Sequence, residues 1–346
     1  VVATITVTPS YDVTDPLLAC EGEEITFTIT VNPNSEMNPV SDIVICNGDT
    51  VDEVIFSAQN TVGTTSYTWS NNTPSINLPD FGADNLPSFL AENNTNDPVV
   101  ATITVTPTFS NGGINCSPPT ETFTITVNPT AQVDQPDNYE YCNGDTAIVD
   151  FTTSNGGVDS VTTYTWTVSG DDIGLDANIP EDISQQVTNE TTDTLTATVV
   201  VTPTYTNDGV SCTGPSKEFT ITVNPTAQVN DIDPIVECNG SFVDEVIFTT
   251  ANTNGTTLYN WENDTPSIGL AVTGVGNISS FQAINTTNDP VVATITVTPS
   301  YDVTDPLLAC EGEEITFTIT VNPTAQVDQP DNYEYCNGDT AIVDFT

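Results

Sequence analysis

The sequence predicts an all-β fold, built as a tandem array of immunoglobulin-like β-sandwich domains of about 96 residues each. One observation is an apolar/Thr alternation that ends in Asn-Pro and occurs four times, with its proline at Pro33, Pro129, Pro225 and Pro323. This period is too long for a solenoid and has the size of an autonomous domain. In addition, no segment shows helical periodicity, and each complete repeat carries one Trp, at Trp69, Trp166 and Trp261.

The first half of residues 130–225 illustrates how the early elements are predicted. Residues 139–142 predict a short first strand, and the Asn-Gly-Asp at 143–145 predicts a turn, because Asn and Gly tolerate a left-handed backbone. Residues 147–152 predict a second strand. The Asn-Gly-Gly at 155–157 breaks it.

The second half of this repeat contains the strongest strand pattern. Residues 163–168, which include a Tyr and the Trp, predict a third strand. The segment 170–191 is polar, and strands within it are hard to place. Residues 194–205 predict a long strand and 206–214 a hairpin turn. In the last strand, 219–223, Phe, Ile and Val point to one face and two Thr to the other, as in a sheet with one face on a core. The Trp is therefore predicted to be a core residue.

The repeats predict three complete domains and two partial ones. Residues 291–323 are identical to residues 1–33. We expect the two end segments to be parts of further repeats of a longer protein. The predicted boundaries are 1–33 for a C-terminal fragment, 34–129, 130–225 and 226–323 for complete repeats, and 324–346 for an N-terminal fragment.

The charge of the chain excludes several classes of partner. It has 48 acidic residues, one Lys (Lys217), no Arg and no His, for a net charge of −47. Nucleic acid is excluded, because binding phosphates requires Lys and Arg, and anionic membrane surfaces are disfavoured for the same reason. No apolar run is long enough to insert into a membrane.

The sequence predicts no enzyme and no catalytic residue. Without His, general acid–base chemistry would fall to carboxylates or to Lys217. Paired carboxylates serve glycosidases, but no acidic pair here differs from its copies in the other repeats. No cofactor is expected, with calcium as the one candidate.

The eight cysteines occupy equivalent positions in the repeats and predict disulfides in an oxidising compartment. The lack of His and of Cys-x-x-Cys argues against zinc. Two pairings compete: sequence neighbours such as Cys20 and Cys46, which lie on either side of a repeat boundary, or two cysteines within one repeat.

Strand lengths favour the second pairing. The last hairpin lies at the end where the chain enters a repeat, and we place the first cysteine of the repeat just after that entry. The neighbouring repeat's cysteine would then be about 30 Å away, too far for a disulfide. We therefore predict within-repeat bonds, each closing a loop of about 70 residues and stabilising its repeat by about 4 kcal/mol. These bonds are Cys46–Cys116, Cys142–Cys212 and Cys238–Cys310.

Clustered acidic side chains are candidate calcium ligands, since hard cations prefer carboxylate and carbonyl oxygens. The segments that enter the repeats carry such residues at Asp134, Asp137, Asp231, Asp233, Asp328 and Asp331. A solvated acidic linker is the alternative interpretation. The hairpin turns carry a second acidic cluster at Asp12, Asp15 and Glu21, repeated at Asp302, Asp305 and Glu311.

The strings of the repeat resemble those of a known family. The order is ATITVTP (101–107), a turn with Cys, FTITVNP (123–129) and then CNG (142–144). It is similar to the PKD-like repeats of very large Bacteroidota surface proteins, the family of SprB-type gliding-motility adhesins. The resemblance implies export to the cell surface, by a type IX secretion system, and a role in adhesion or gliding.

The resemblance also implies O-glycosylation at Asp-Ser/Thr-aliphatic triplets. The candidate residues are Thr50, Thr146, Ser160, Thr194 and Thr340. Asn-x-Ser/Thr sequons, such as those at Asn189 and Asn277, are as frequent as an Asn- and Thr-rich chain gives by chance.

The function predicted from the sequence is mechanical. We expect the shaft of a giant fibre on the bacterial outer surface, whose repeats contact their neighbours in the chain and whose parent protein contacts surfaces or polysaccharides. Two alternatives stay open: repeats that bind polysaccharide, and a filament that self-associates laterally when divalent cations neutralise its charge.

Overall fold

The computed structural model describes residues 1–11, 20–117, 119–302 and 310–344. Its elements are almost entirely β-strands, which form immunoglobulin-like sandwiches in tandem. Two short 3-10 helices, Pro74–Ile76 and Pro266–Ile268, also lie in the described part of the chain. The predicted all-β class is confirmed.

The strands recur in the same order along the chain. Residues 1–33 contain β1 (Val2–Val7), β2 (Ser10–Tyr11), β3 (Cys20–Glu21) and β4 (Ile25–Thr30). Residues 34–129 contain β5 (Ile43–Cys46), β6 (Thr50–Val51), β7 (Thr64–Asn71), β8 (Phe81–Ala83), β9 (Phe89–Leu90), β10 (Val99–Asn111), β11 (Ile114–Cys116) and β12 (Glu121–Asn128). Residues 130–225 contain β13 (Tyr139–Cys142), β14 (Thr146–Val149), β15 (Val161–Gly170), β16 (Ile183–Gln186), β17 (Leu195–Asn207), β18 (Val210–Thr213) and β19 (Lys217–Asn224). Residues 226–323 contain β20 (Ile235–Cys238), β21 (Phe242–Val243), β22 (Thr256–Asn263), β23 (Thr273–Val275), β24 (Phe281–Gln282), β25 (Val291–Asp302), β26 (Cys310–Glu311) and β27 (Ile315–Asn322).

The chain divides into two compact units. We number the complete repeats 34–129, 130–225 and 226–323 as first, second and third, and the limits of the units cut across the second repeat. The first unit comprises Val1–Asp134, Phe151–Thr165 and Val201–Lys217, and the second comprises Gln135–Asp150, Trp166–Val200 and Glu218–Thr346. Because these limits differ from the sequence repeats, the repeat boundaries stay predictions.

In the first unit, residues 34–129 form a sandwich around one apolar core. The larger sheet has the order β5-β12-β10-β7-β8, with β11 paired to β10, and the smaller sheet pairs β6 with β9. Side chains of β10 alternate between the core and the surface, and Ile103 and Val105 are fully buried. They pack with Trp69, Ile125 and Val51 in one cluster. This is the period-2 pattern of a strand with one face on a core.

In the second unit, residues 226–323 repeat this arrangement. The larger sheet has the order β20-β27-β25-β22-β23, with β26 on β25, and the smaller pairs β21 with β24.

In residues 130–225 the order is β13-β19-β17-β15, with β18 on β17, and β14 pairs with β16. Trp69, Trp166 and Trp261 are 4%, 3% and 6% exposed, which confirms the prediction that each Trp is a core residue.

The long strand of each repeat contains a proline where its neighbour is interrupted. In β10, Val105 still pairs with Glu121 of β12, and Phe109 already pairs with Cys116 of β11. Pro107 lies between these two positions on that edge, so its missing N–H leaves no ladder bond unmade. The sequence pattern could therefore run through the proline as one strand.

A two-residue turn closes the hairpin after each long strand that the structure describes to its end. Asp208 and Gly209 have φ angles of 48° and 76°, and Gly112 and Gly113 have 61° and 79°. Two successive positive φ angles are typical of a type I′ turn, which suits the twist of a hairpin. The predicted turn at 206–214 is therefore too long: its flanks belong to β17 and β18.

Side-chain acceptors hold the start of the first strand against the last strand. The Asp42 carboxylate accepts a hydrogen bond from the backbone N–H of Thr124 at 2.6 Å. Asn138 accepts the equivalent bond from Thr220 at 2.8 Å in the second unit. The bond from Thr124 lowers the pKa of the Asp42 carboxyl below its ordinary value of 3.8.

We predict that the Asp42 contact fails in acid. Because the folded-state pKa is the lower one, the contact stabilises the fold above the unfolded-state pKa and is lost as the pH falls through the folded-state value. NMR titration of the Asp42 carboxyl carbon should give a lower midpoint in the folded chain than in the urea-unfolded chain. The Asp42→Asn variant should keep the Thr124 bond at every pH, as Asn138 does. Equal midpoints for Asp42 in the two states would contradict this account.

Candidate functional site

The site that the structure assembles most completely is the contact between successive repeats. We call the end at which a repeat's last strand finishes its exit end. In the first repeat β5 runs parallel to β12, which places Cys46 opposite Asn128. The Asn47 N–H donates to the Asn128 carbonyl at 2.9 Å, and the Asn47 side chain donates to Thr130 Oγ1 at 2.8 Å. The exit end is thus tied to the linker that follows it.

A buried asparagine organises the loop at the same exit end. Asn93 is 4% exposed, and its amide donates to the carbonyls of Asp97 at 2.8 Å and Val127 at 2.7 Å. Its Oδ1 accepts from the N–H and the hydroxyl of Thr95 at 2.9 and 2.8 Å. The Asn93 N–H donates to Asn47 Oδ1 at 2.8 Å. The same set of bonds recurs at Asn189 and Asn285.

Two disulfides connect the exit end of one repeat to the hairpin of the next repeat. Cys46 is bonded to Cys212 with a Cα–Cα distance of 5.6 Å, across a sequence separation of 166 residues. Cys142 is bonded to Cys310 at 5.3 Å, across 168 residues. Each unit contains one of these bonds. In both, the last residue of one repeat's first strand is bonded to a cysteine in the short strand that follows the long strand of the next repeat.

The predicted within-repeat bonds are therefore wrong. The structure does not form the predicted pairs Cys46–Cys116, Cys142–Cys212 and Cys238–Cys310. Of these six cysteines, Cys116 and Cys238 are free thiols, and the other four are bonded to a different partner.

The length of β10 gives the physical reason for the correction. Cys46 lies beside the pair Val99–Val127 at one end of β10, whereas Cys116 pairs with Phe109 ten residues further along that strand. At about 3.3 Å per residue these ends are about 33 Å apart. A disulfide requires Cα atoms within about 7 Å, so Cys46 cannot reach Cys116. It is bonded to Cys212 of the following repeat instead.

The hairpin of the next repeat is seated closely on the linker. A Cβ atom at Gly214 would lie 1.9 Å from the carbonyl oxygen of Ala131, and one at Gly312 would lie 1.8 Å from that of Ala227. Any side chain at either glycine would therefore push the hairpin off the linker. Both alanines are buried, with exposed fractions of 0% and 2%.

Side-chain hydrogen bonds join the repeats around each disulfide. In the first unit, Asn207 Nδ2 donates to Asn128 Oδ1 at 2.9 Å, and Gln132 Nε2 donates to Asn96 Oδ1 at 2.9 Å. In the second unit, the hydroxyls of Thr194 and Tyr301 are 3.1 Å apart, and the Thr253 N–H donates to the Thr192 carbonyl at 3.2 Å. The Thr253 hydroxyl also donates to the Asp193 carboxylate.

The exit end of the third repeat has the same internal bonds. Asn239 Nδ2 donates to Thr324 Oγ1 at 2.9 Å, and the Asn285 N–H donates to Asn239 Oδ1 at 2.9 Å. Cys238 is an exposed free thiol there, and Ala325, the counterpart of the buried Ala131 and Ala227, is exposed. In the first two repeats this exit end is covered by a hairpin.

The structure does not gather the predicted calcium ligands into a cluster. Asp134, Asp137, Asp231, Asp233, Asp328 and Asp331 are all exposed. The Asp134 carboxylate accepts a hydrogen bond from the Thr152 hydroxyl at 2.7 Å. No three His, Cys, Asp or Glu side chains are grouped to hold a metal ion within the described residues. Of the second acidic cluster, Asp12, Asp15 and Asp305 lie outside them. Calcium binding stays a prediction.

The candidate glycosylation residues fall into two groups. Thr50, Thr146 and Thr340 are exposed. The Ser160 hydroxyl donates to the Gly156 and Gly157 carbonyls, and Thr194 contacts Tyr301 of the following repeat. Glycosylation stays a prediction for all five. No helix in the described part of the chain is both long and apolar enough to cross a membrane.

No protein-family model matches this chain, and no curated protein matches it in sequence. Among solved structures, it is similar to titin domains I67–I69 at 11% identity and a TM-score of 0.39, covering 84% of this chain and 98% of that one. It is similar to mouse cadherin-23 EC22–24 at 14% identity and a TM-score of 0.36, covering 85% of this chain and 99% of that one. It is also similar to three N-terminal domains of the bacteriophage RB49 outer capsid protein Hoc, at 12% identity and a TM-score of 0.37, covering 84% of this chain and 99% of that one.

We predict that Asn93→Ala opens the exit end of the first repeat. Removing the amide takes its donor from the Val127 and Asp97 carbonyls, of which Asp97 keeps the bond from the Thr95 hydroxyl. The free energy of opening this end should fall by about 1–3 kcal/mol. Native-state hydrogen exchange should show faster exchange in β12 and in the loop 93–97.

The matched control is the neighbouring residue. Asn94 is exposed, and its side chain bonds to Glu92 at 2.6 Å. Asn94→Ala should therefore change the free energy of opening, as measured by hydrogen exchange, by no more than about 0.5 kcal/mol. Equal effects of the two substitutions would contradict the role assigned to Asn93.

We also predict which thiols react in the folded, unreduced chain. Cys116 and Cys238 should be alkylated by iodoacetamide, while Cys46, Cys142, Cys212 and Cys310 should react after reduction and unfolding, as mass spectrometry of peptides would show. Cys116 is partly buried and should react more slowly than the exposed Cys238. Protection of Cys116 and Cys238 without reductant would contradict their assignment as free thiols.

Proposed function

We propose that this chain is part of the shaft of a giant extracellular fibre that serves cell adhesion or gliding motility. The observation that carries the proposal is the covalent bond from each of the first two repeats to the next. A catalytic or ligand-binding domain needs no such bond, whereas a shaft must hold successive repeats together under load. Disulfides persist in oxidising environments outside the cytosol, which supports an extracellular location.

The strand arrangement suits a load-bearing role. The first strand of a repeat pairs in parallel with its last strand, as Ile43–Cys46 does with residues 125–128 and Ile235–Cys238 with residues 319–322. In the third repeat, where Cys238 is a free thiol, a pull along these strands loads the hydrogen bonds between them together and not one after another. Opening that repeat then requires that they break at once. In the first two repeats the disulfide takes the load directly at the cysteine.

The charge of the chain suits a long surface fibre. A net charge of −47 makes neighbouring copies repel one another and keeps them from associating. The strings ATITVTP, FTITVNP and CNG resemble PKD-like repeats of Bacteroidota surface proteins, which supports the outer surface of such a bacterium as the location. Polysaccharide binding by the repeats and divalent-dependent filament formation are alternative proposals.

Labelling of living cells tests the proposal. A fluorescent antibody fragment raised against this chain should bind intact cells of the source bacterium without permeabilisation, and directed movement of the label along the cell would support the gliding role. A stationary surface label would support a static adhesive shaft. A label that requires permeabilisation would overturn the extracellular fibre.

A further inference from the structure

We infer that this region stays covalently continuous after a single break of its backbone anywhere between Cys46 and Cys310. The use of such continuity rests on the proposed role as a fibre shaft, but its chemistry does not. Each disulfide joining two repeats is a second covalent connection beside the backbone, and the two connections overlap in sequence.

The overlap follows from the positions of the four bonded cysteines. One bond spans residues 46–212 and the other spans 142–310. A backbone break before residue 142 is bridged by the first bond, and a break after residue 212 by the second. A break in between is bridged by both. No position between Cys46 and Cys310 is left with the backbone as its single connection.

The shortest covalent route through the region therefore avoids the linkers. It crosses from Cys46 to Cys212, runs backwards along the chain to Cys142 and crosses to Cys310. That route contains about 70 residues of backbone, where the backbone alone would use about 260. At about 3.5 Å per extended residue, the fully unfolded region reaches about 250 Å, and about 900 Å once the disulfides are reduced.

The non-covalent contacts hold the broken chain in place. The hairpin and the linker meet at Gly214 and Ala131 in one unit and at Gly312 and Ala227 in the other. In the second unit, Ala227 packs in one cluster with Tyr301 and Cys310, and Cys142 packs against that cluster. A cut linker therefore keeps its partner there. Cleavage of a peptide bond adds one water across the C–N bond and leaves both S–S bonds unchanged.

Lys217 provides the experiment, because it is the one Lys or Arg of the chain and lies between Cys212 and Cys238. The full chain is alkylated without reduction, unfolded in urea and cut with a lysine-specific protease. We expect a single species whose mass is that of the alkylated chain plus one water. After reduction it should separate into residues 1–217 and 218–346.

Two matched variants identify the bond that holds the halves. Cys310→Ser removes the bond that spans Lys217, so its two fragments should separate without reductant. Cys238→Ser changes a free thiol, and its fragments should stay joined. Separation of the unsubstituted chain without reductant would overturn the inference, and so would separation of Cys238→Ser, which would mean that Cys212 pairs with Cys238.

The outcome does not depend on where the fibre is found on the cell. If the cut chain stays joined but the antibody fragment fails to label intact cells, the covalent inference stands and the proposed function fails. If the cut chain separates and intact cells are labelled, the covalent inference fails, and the extracellular location stands without the bond between repeats.

Discussion

The parallel pairing of the first strand with the last strand is the constraint on which the contacts between repeats depend. It carries the segment that enters a repeat along the sandwich and delivers its cysteine to the exit end, opposite Asn128 in the first repeat and Asn322 in the third. Had the first strand paired in the other direction, that cysteine would lie at the entry end, and the hairpin of the following repeat would be out of reach. One strand direction thus converts a set of separate domains into a cross-linked chain.

The polar groups at the exit end have a structural role that their chemistry alone does not reveal. Buried amides are costly unless all their hydrogen bonds are made. Asn93 makes them within its own loop, to Val127 of the last strand and to Asn47. This leaves the first strand, the last strand and the loop in one fixed arrangement. The cysteine, the Asn after it and the linker therefore form a ready surface for the next hairpin.

Much of the fold could be predicted from the sequence, because its signals are local. The alternation in residues 219–223 and the Asn-Gly turn after Cys142 depend on neighbouring residues alone. The segment 139–142 is a strand with the predicted limits. The polar segment 170–191 gave no strand, although it contains Ile183–Gln186, because four residues with two glutamines carry too little pattern.

The contact between repeats could not be predicted in the same way. The disulfide partners depend on whether the entry segment runs the length of the sandwich before its first strand, which is a property of the tertiary fold. A signal was present in the sequence: the same Cys-Asn-Gly and Pro-Thr-Ala-Gln strings recur around each contact. Identical surroundings at each linker indicate a shared interface, but they do not identify which side of it a given cysteine occupies.

The matching linkers also bear on how such a chain changes in length during evolution. Because both cross-links in the described residues join a repeat to the one that follows it, the gain or loss of one whole repeat by recombination leaves the remaining cross-linked cysteines with partners of the same kind. The Ala131–Gly214 and Ala227–Gly312 contacts use the same residue types, so the new neighbours fit without further substitution. An array of this kind can be lengthened or shortened in whole repeats, and the identity of residues 1–33 and 291–323 is what such copying produces.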